Sequence, residues 1–253
     1  MGQKLNALQK TFLALDNMDR AKVLSLLKEI PDLENIKIGL ELFCKYGPDF
    51  INEIKTLLGP RKISIFLDLK LHDIPQTVSK SIQSLKGLPV DFLTIHISGG
   101  FHMMEEAKKS AIQNLPNCKI LGVSILTSLD PQDIKQLWGV DPVNFQATFK
   151  NLAGLAMDAG LDGMILSPLE LSLLKEIKLL KNNSQFLAVT PGVRFPDELS
   201  DNTKKMEDQK RTSTFADAFY QGAHYVVIGR PLTSVEQEIQ KRRIQSLKFF
   251  ELP

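Results

Sequence analysis

The strongest constraint on the fold is the run at residues 63–77, I-S-I-F-L-D-L-K-L-H-D-I-P-Q-T, which opens as a strict alternation. Ile63, Ile65, Leu67, Leu69 and Leu71 form one row, and Ser64, Phe66, Asp68, Lys70 and His72 form the other. A strand sends successive side chains to opposite faces, so Asp68 and Lys70 share a face about 7 Å apart along the chain. Asp73 follows where the alternation stops. Pro75 cannot continue a strand and suits a turn or a first helical position. Three charges of alternating sign therefore meet at the C-terminal end of one strand. A half-exposed strand can carry Asp and Lys on its wet face, so its neighbours decide what these charges are for.

Further strand-like runs occur at residues 11–16, 35–41, 91–98, 119–127, 162–167, 185–190 and 224–230. Between them, apolar spacing and end signals predict helices over residues 19–30, 48–58, 76–86, 103–115, 144–159, 170–180 and 208–221. A last helix is expected near Thr233 and Ser234, where Thr233 and Glu236 make a capping-box pattern. The longest connection follows the fifth strand; it holds a short segment at 131–137 and Trp138, read as local core. Residues 195–207 are polar and read as a mobile loop. Strict alternation of eight strands with helices argues for a parallel sheet with helices outside, a (β/α)8 TIM barrel forming a single domain over residues 1–253. An open, doubly wound sheet is the alternative, although no GxGxxG turn follows the first strand.

Composition narrows the function classes. The chain carries 31 Lys and Arg against 29 Asp and Glu, a net charge of +2, and has no basic patch interleaved with aromatics. Nothing points to nucleic acid. Cys44 and Cys118 have no CxxC or metal-ligand spacing, which fits a reducing compartment. Residues 1–10 are polar without a signal-peptide core, and no apolar run reaches the roughly 18 residues of a membrane span. The expectation is a soluble cytoplasmic protein with no membrane or nucleic-acid partner.

In a (β/α)8 barrel the active site lies at the C-terminal ends of the strands. Those ends hold Asp16, Lys37, Asp68, Lys70 and Asp73 on the first three strands. Like charges 4 Å apart cost about 4 kcal/mol at an effective dielectric near 20, so such a cluster stays ionised only when the signs interleave. Here they do. Across the barrel, Pro191-Gly192-Val193-Arg194 follows strand seven, and Gly229-Arg230-Pro231 follows strand eight. Barrels often hold a phosphate there on backbone N–H groups and a helix N-terminus. Arg194 and Arg230 would add charge-assisted hydrogen bonds, and Gly229 would let the backbone approach closely. A pair of surface arginines next to turn residues is the alternative reading. His96 reads as a packed barrel histidine, His72 has no evident geometry, and Ser98-Gly99-Gly100 reads as a simple turn. No trio of His, Cys or carboxylates has zinc spacing.

These residues carry a resemblance. D-L-K-L-H-D-I-P-Q-T at Asp68 to Thr77 is similar to the D-x-K-x-x-D-I-P-x-T signature of the orotidine 5′-phosphate decarboxylases. L-A-L-D at Asp16, I-K-I-G at Lys37, I-L-T-S at Thr127, P-G-V-R at Arg194, D-Q-K-R at Gln209 and V-I-G-R at Arg230 follow in that family's order. The resemblance spans nearly the whole chain. It implies a dimeric barrel that converts orotidine 5′-phosphate to UMP with no metal or organic cofactor. It also implies roles: Lys70 would protonate C6 as carbon dioxide leaves, and Asp68 would face the substrate carboxylate. Asp73 would reach the partner subunit's site, with Ile74 and Thr77 beside it. Asp16 and Lys37 would hold the ribose hydroxyls, Thr127 would contact the pyrimidine, and Pro191, Arg194, Gln209, Gly229 and Arg230 would line the phosphate end. After D-Q-K-R many members continue with Val and Thr-Pro, whereas this chain reads Thr212-Ser213-Thr214-Phe215. Sugar-phosphate relatives of the superfamily share D-x-K-x-x-D but use Mg²⁺ with an acid where Lys37 stands. A phosphate-binding barrel without turnover is the non-enzyme alternative.

Overall fold

The eight runs do form strands, and each pairs in parallel with its neighbours in the chain. A computed structural model describes residues 5–139, 141–199 and 213–253. Its strands are Thr11–Ala14, Asn35–Gly39, Ser64–Leu71, Phe92–His96, Lys119–Val123, Gly163–Ile165, Leu187–Thr190 and Tyr225–Ile228. The first pairs with the second through Ala14 and Lys37, and with the last through Leu13 and Ile228, so the sheet closes on itself. Closure rules out the open doubly wound alternative. Helices separate the strands and cover the outside, as expected for parallel crossovers. Among the described residues, no helix is long and apolar enough to cross a membrane.

Two apolar layers follow from the alternation. Outward rows such as Ile36, Ile38, Ile65 and Leu67 pack under the helices, meeting Leu27, Ile51 and Ile82. Inward rows fill the barrel with a separate cluster that includes Phe12, Phe66, Phe92, Val189 and Val227. The N-terminal end is closed by aromatics: the Phe12 ring lies 5.2 Å from Phe66, 5.1 Å from Phe92 and 5.1 Å from Tyr225, centroid to centroid. One step up the inward rows of the third and fourth strands the chemistry changes. Phe66 gives way to Asp68, and Phe92 to Thr94. An aromatic floor thus supports a polar mouth.

Several boundaries differ from the sequence reading. The second helical stretch runs Leu40–Leu58 and is broken at Gly47, whose φ of 66° is not helical; the expected helix from Pro48 is its second part, and residues 40–46 add a helical segment ahead of it. Ser213–Thr214 forms a short strand beside Val193–Arg194, and the helix is Phe215–Tyr220, capped by the Thr214 hydroxyl on the Asp217 N–H. The expected start of that helix, at 208–212, lies outside the described residues, as do 200–207 of the expected loop. Pro196–Leu199, inside that loop, is a short helical turn. The Thr233–Glu236 capping box does not form. Arg230–Thr233 is a short helix of its own, and the last helix runs Gln237–Phe249 without a side-chain cap. Pro231, suited to a first helical turn, favours the earlier start. Trp138 is 43% exposed at the end of Pro131–Trp138 and is not core.

The Phe12 ring touches three others in the floor, so Phe12→Ala should lower stability by about 3–5 kcal/mol. Urea unfolding midpoints measure this; a loss under about 1 kcal/mol would contradict the role given to the floor.

Candidate active site

The third strand does not stay regular to its end. Its pairing with the fourth strand shifts register between Leu67 and Leu71, and Lys70 sits at φ 50°. For a residue with a Cβ this backbone region costs of the order of 1–3 kcal/mol and persists only where its surroundings hold it. Here the Lys70 N–H donates to the Thr94 hydroxyl oxygen at 2.9 Å instead of a ladder carbonyl. The bulge ends the alternation: Leu71 is only half-buried and His72 is exposed. Asp68 and Lys70 still meet on the inside.

There the charges interleave as a chain of contacts. Lys37 Nζ donates to Asp16 Oδ2 at 2.8 Å and lies 3.4 Å from Asp68 Oδ2. Lys70 Nζ donates to the same Asp68 Oδ2 at 2.8 Å. The Thr94 hydroxyl donates to Asp68 Oδ1 at 2.9 Å. Burial alone would raise the Asp68 pKa, but the charges of Lys37 and Lys70 outweigh it and hold it below the ordinary 3.8. Burial likewise pushes the Lys37 ammonium down, while Asp68 and then Asp16 leave it above the ordinary 10.5. Each buried charge is thus held ionised by its neighbours.

Asp16, Lys37, Asp68 and Lys70 line one end of a cavity of about 310 Å³ at the barrel mouth. Thr127 lines it from the connection after strand five. The opposite wall carries Pro191, Gly192, Arg194, Gly229, Arg230 and Pro231, the two turns singled out from the sequence. Arg194 is buried, and its Nη1 donates to the Val193 carbonyl at 3.1 Å. Gly192, at φ 78°, turns the chain there. Gly229 opens the short helix at φ −114° and ψ −106°, and a Cβ there would only touch Ala14 at 3.4 Å. Cations on one wall and an interleaved ionic row on the other suit a small molecule with an anionic tail.

The mouth does not gather every predicted residue. Asp73, Ile74 and Thr77 are exposed and lie outside the cavity lining, and the Asp73 carboxylate accepts the Ile74 N–H at 2.7 Å. The expected row of five charges is four within one chain. Gln209 lies outside the described residues. The His96 ring packs against His72 at 5.2 Å, and burial lowers its pKa, in keeping with a packed histidine.

Two residues escaped the sequence reading. Thr94 orders both Asp68 and the strained Lys70 backbone; its signal was a polar residue in an inward row between Phe92 and His96. Gly39 ends the second strand, where a Cβ would come within 2.2 Å of Asp16 Oδ1 and 3.1 Å of Lys37 Nζ. Only a glycine leaves room for the Asp16–Lys37 pair. Its place in I-K-I-G was visible; the reason needed the fold.

Comparison with known proteins shows the family. The family model described as "Orotidine 5'-phosphate decarboxylase / HUMPS family" matches residues 9–242. The chain belongs to this family. It is 39% identical over 228 residues to the orotidine 5′-phosphate decarboxylase of Staphylococcus haemolyticus, covering 90% of this chain and 93% of that protein. It is 38% identical over 238 residues to that of Actinobacillus succinogenes, covering 92% and 95%. The crystal structure of orotidine 5′-phosphate decarboxylase from Lactobacillus acidophilus superposes with a TM-score of 0.73 at 30% identity, over 94% of this chain and 96% of that one. Family membership fits a closed barrel with its polar groups at the strand ends.

The ionic row has a pH signature. Asp68 titrates lower in the folded chain than unfolded, so its contribution is whole above the ordinary value of 3.8 and is lost as pH falls through the folded value. The stability gap between wild type and Asp68→Asn, from urea unfolding, should be level above about pH 5 and narrow progressively as the pH falls below about 4. A gap that does not change with pH would contradict this account.

Proposed function

We propose that this chain decarboxylates orotidine 5′-phosphate to UMP, with Lys70 as the acid. The observation that carries the reading is the single Asp68 oxygen shared by Lys37 and Lys70 at the barrel mouth. In the reaction the bond from C6 to the carboxylate breaks, carbon dioxide leaves, and the electron pair stays on C6. That pair lies in the ring plane, so the ring π-system cannot spread it. An ammonium fixed beside C6 stabilises the charge as it develops and then gives up its proton. Lys70 Nζ, held 2.8 Å from Asp68, would supply that ammonium. The Thr94 bonds, to the Asp68 carboxylate and to the Lys70 backbone, fix both groups before substrate arrives.

Asp68 would lie against the substrate carboxylate and disfavour the bound ground state relative to the neutral carbon dioxide that departs. Asp16 and Lys37 would take the ribose hydroxyls, and Thr127 the pyrimidine. The phosphate would rest between Arg194 and Arg230 with Pro191 and Gly229, joined by Gln209. That end is remote from C6, and its binding energy can be used to hold the reacting end in place. We read the enzyme as a cytoplasmic homodimer in which Asp73, Ile74 and Thr77 reach the partner's cavity. Their exposure and their absence from the cavity lining of their own chain support this.

The family name also covers sugar-phosphate chemistry. A divalent cation between Asp16 and Asp68 would meet the Lys37 ammonium, which already contacts both carboxylates. This favours the decarboxylase that works without metal.

Lys70→Ala should lose at least about 10⁴-fold in turnover of orotidine 5′-phosphate while keeping the wild-type circular dichroism. Retained turnover would remove Lys70 from the role. For the dimer, mixing inactive Lys70→Ala with inactive Asp73→Ala should recover activity through hybrid dimers that hold one intact site. No recovery at any ratio would count against a shared site.

A further inference from the structure

The two turns at the phosphate end are joined from behind by one arginine. Arg243 lies on the last helix with only 7% of its side chain exposed. Its Nη1 donates to the Pro231 carbonyl at 2.7 Å. Its Nε and Nη2 donate to Asp197 Oδ2 at 3.2 and 2.8 Å, and Nη1 lies 3.6 Å from Glu198 Oε1. The guanidinium also sits 5.0 Å from the centre of the Phe195 ring, whose backbone N–H donates to Glu198 at 2.8 Å. Pro231 directly follows Arg230, and Phe195 directly follows Arg194. Each cation of the phosphate end is therefore one residue from a group that Arg243 holds.

We propose that Arg243 is a positioning residue, setting the spacing between the turns after strands seven and eight so that Arg194 and Arg230 grip one phosphate. The inference rests on the phosphate-end reading above and goes beyond it. A planar guanidinium suits this task because its five N–H donors have fixed directions and can serve two loops at once. Docking the helix does not require it. Ile244 and Leu247 bury the helix's apolar face, and the Gln240 amide donates to the Leu232 carbonyl at 2.6 Å. What the guanidinium adds is the link from one turn to the other. Burial would raise the Asp197 pKa, but the hydrogen bond and charge of Arg243 outweigh it and leave it below the ordinary 3.8, so the link is ionic at neutral pH. Arg242, on the exposed side, also reaches Asp197 at 3.2 Å but makes no bond to Pro231.

The test compares UMP with uridine, which differ only in the phosphate, on wild type, Arg243→Met, Arg243→Lys and Asp197→Asn. Affinity is read by calorimetry, and KM and kcat with orotidine 5′-phosphate. Arg243→Met should lose about 10–100-fold in affinity for UMP while its affinity for uridine stays within about twofold. KM should rise more than kcat falls, and Arg243→Lys should recover part of the loss. Asp197→Asn removes a partner of the link at a more exposed site; it should change UMP binding in the same direction even if Arg243→Met fails to fold. Equal losses for UMP and uridine, or an unchanged UMP affinity in Asp197→Asn, would overturn the proposal. A wild type that binds UMP more tightly than uridine but turns over no orotidine 5′-phosphate would remove the substrate reading and leave the link standing.

Discussion

One carboxylate, Asp68, is held from three directions, and the candidate site is built outward from it. Lys37 and Lys70 share one of its oxygens, and the Thr94 hydroxyl binds the other. A buried anion of this kind survives only because its partners are fixed; taking away one member of such a group costs roughly 3–5 kcal/mol. The barrel supplies the fixing. Strands two, three and four deliver Lys37, Asp68 and Thr94 at neighbouring inward positions, and the aromatic floor beneath them keeps water from below. Gly39 then leaves space for Asp16 to complete the row. Lys70 departs from regular strand geometry, and the Thr94 hydroxyl that receives its N–H is the same one that binds Asp68. Strain in the Lys70 backbone and order in the Asp68 carboxylate thus have a common support.

The opposite wall works by a different principle. Arg194 and Arg230 come from separate loops, and loops do not keep a spacing as strands do. Their backbones are braced by neighbours: Phe195 packs in the core under Phe215, and Pro231 begins a short helix. Arg243 joins the two braces. The proposed reaction would gain binding energy at one end and use it at the other, which needs the two ends at a constant distance, because a misplacement near 1 Å can cost about 10²-fold. A strand-built row facing a cross-linked pair of turns meets that need.

Much of this was legible in the residues. Alternation at 63–77 assigned Asp68 and Lys70 to one face, and the count of strands and helices placed that face at the catalytic mouth. What the period could not show was its own interruption. The bulge at Lys70 depends on a hydroxyl from another strand, and Thr94 reads as an ordinary strand residue until the two strands are paired. Gly39 was quoted within its motif, but its need became visible only once Asp16 lay beside it. Helix ends were misjudged where local signals compete. The break at Gly47 and the start at Pro48 were legible while the helical segment at 40–46 ahead of them was not, and the Thr233 pattern lost to a helix that begins at Arg230, three residues earlier. Asp73 lies past the point where the alternation stops, exposed and outside the cavity lining of its own chain. Arg243 had no sequence signal at all, since its partners lie some 12 and 46 residues away.

The central claim is that this ionic row decarboxylates orotidine 5′-phosphate without a metal. The most direct measurement is the ultraviolet absorbance of orotidine 5′-phosphate mixed with the purified protein in excess EDTA. The account predicts loss of the orotate chromophore in step with formation of UMP, at the rate seen without chelator. An unchanged spectrum, or turnover that returns only when a divalent cation is added, would contradict it.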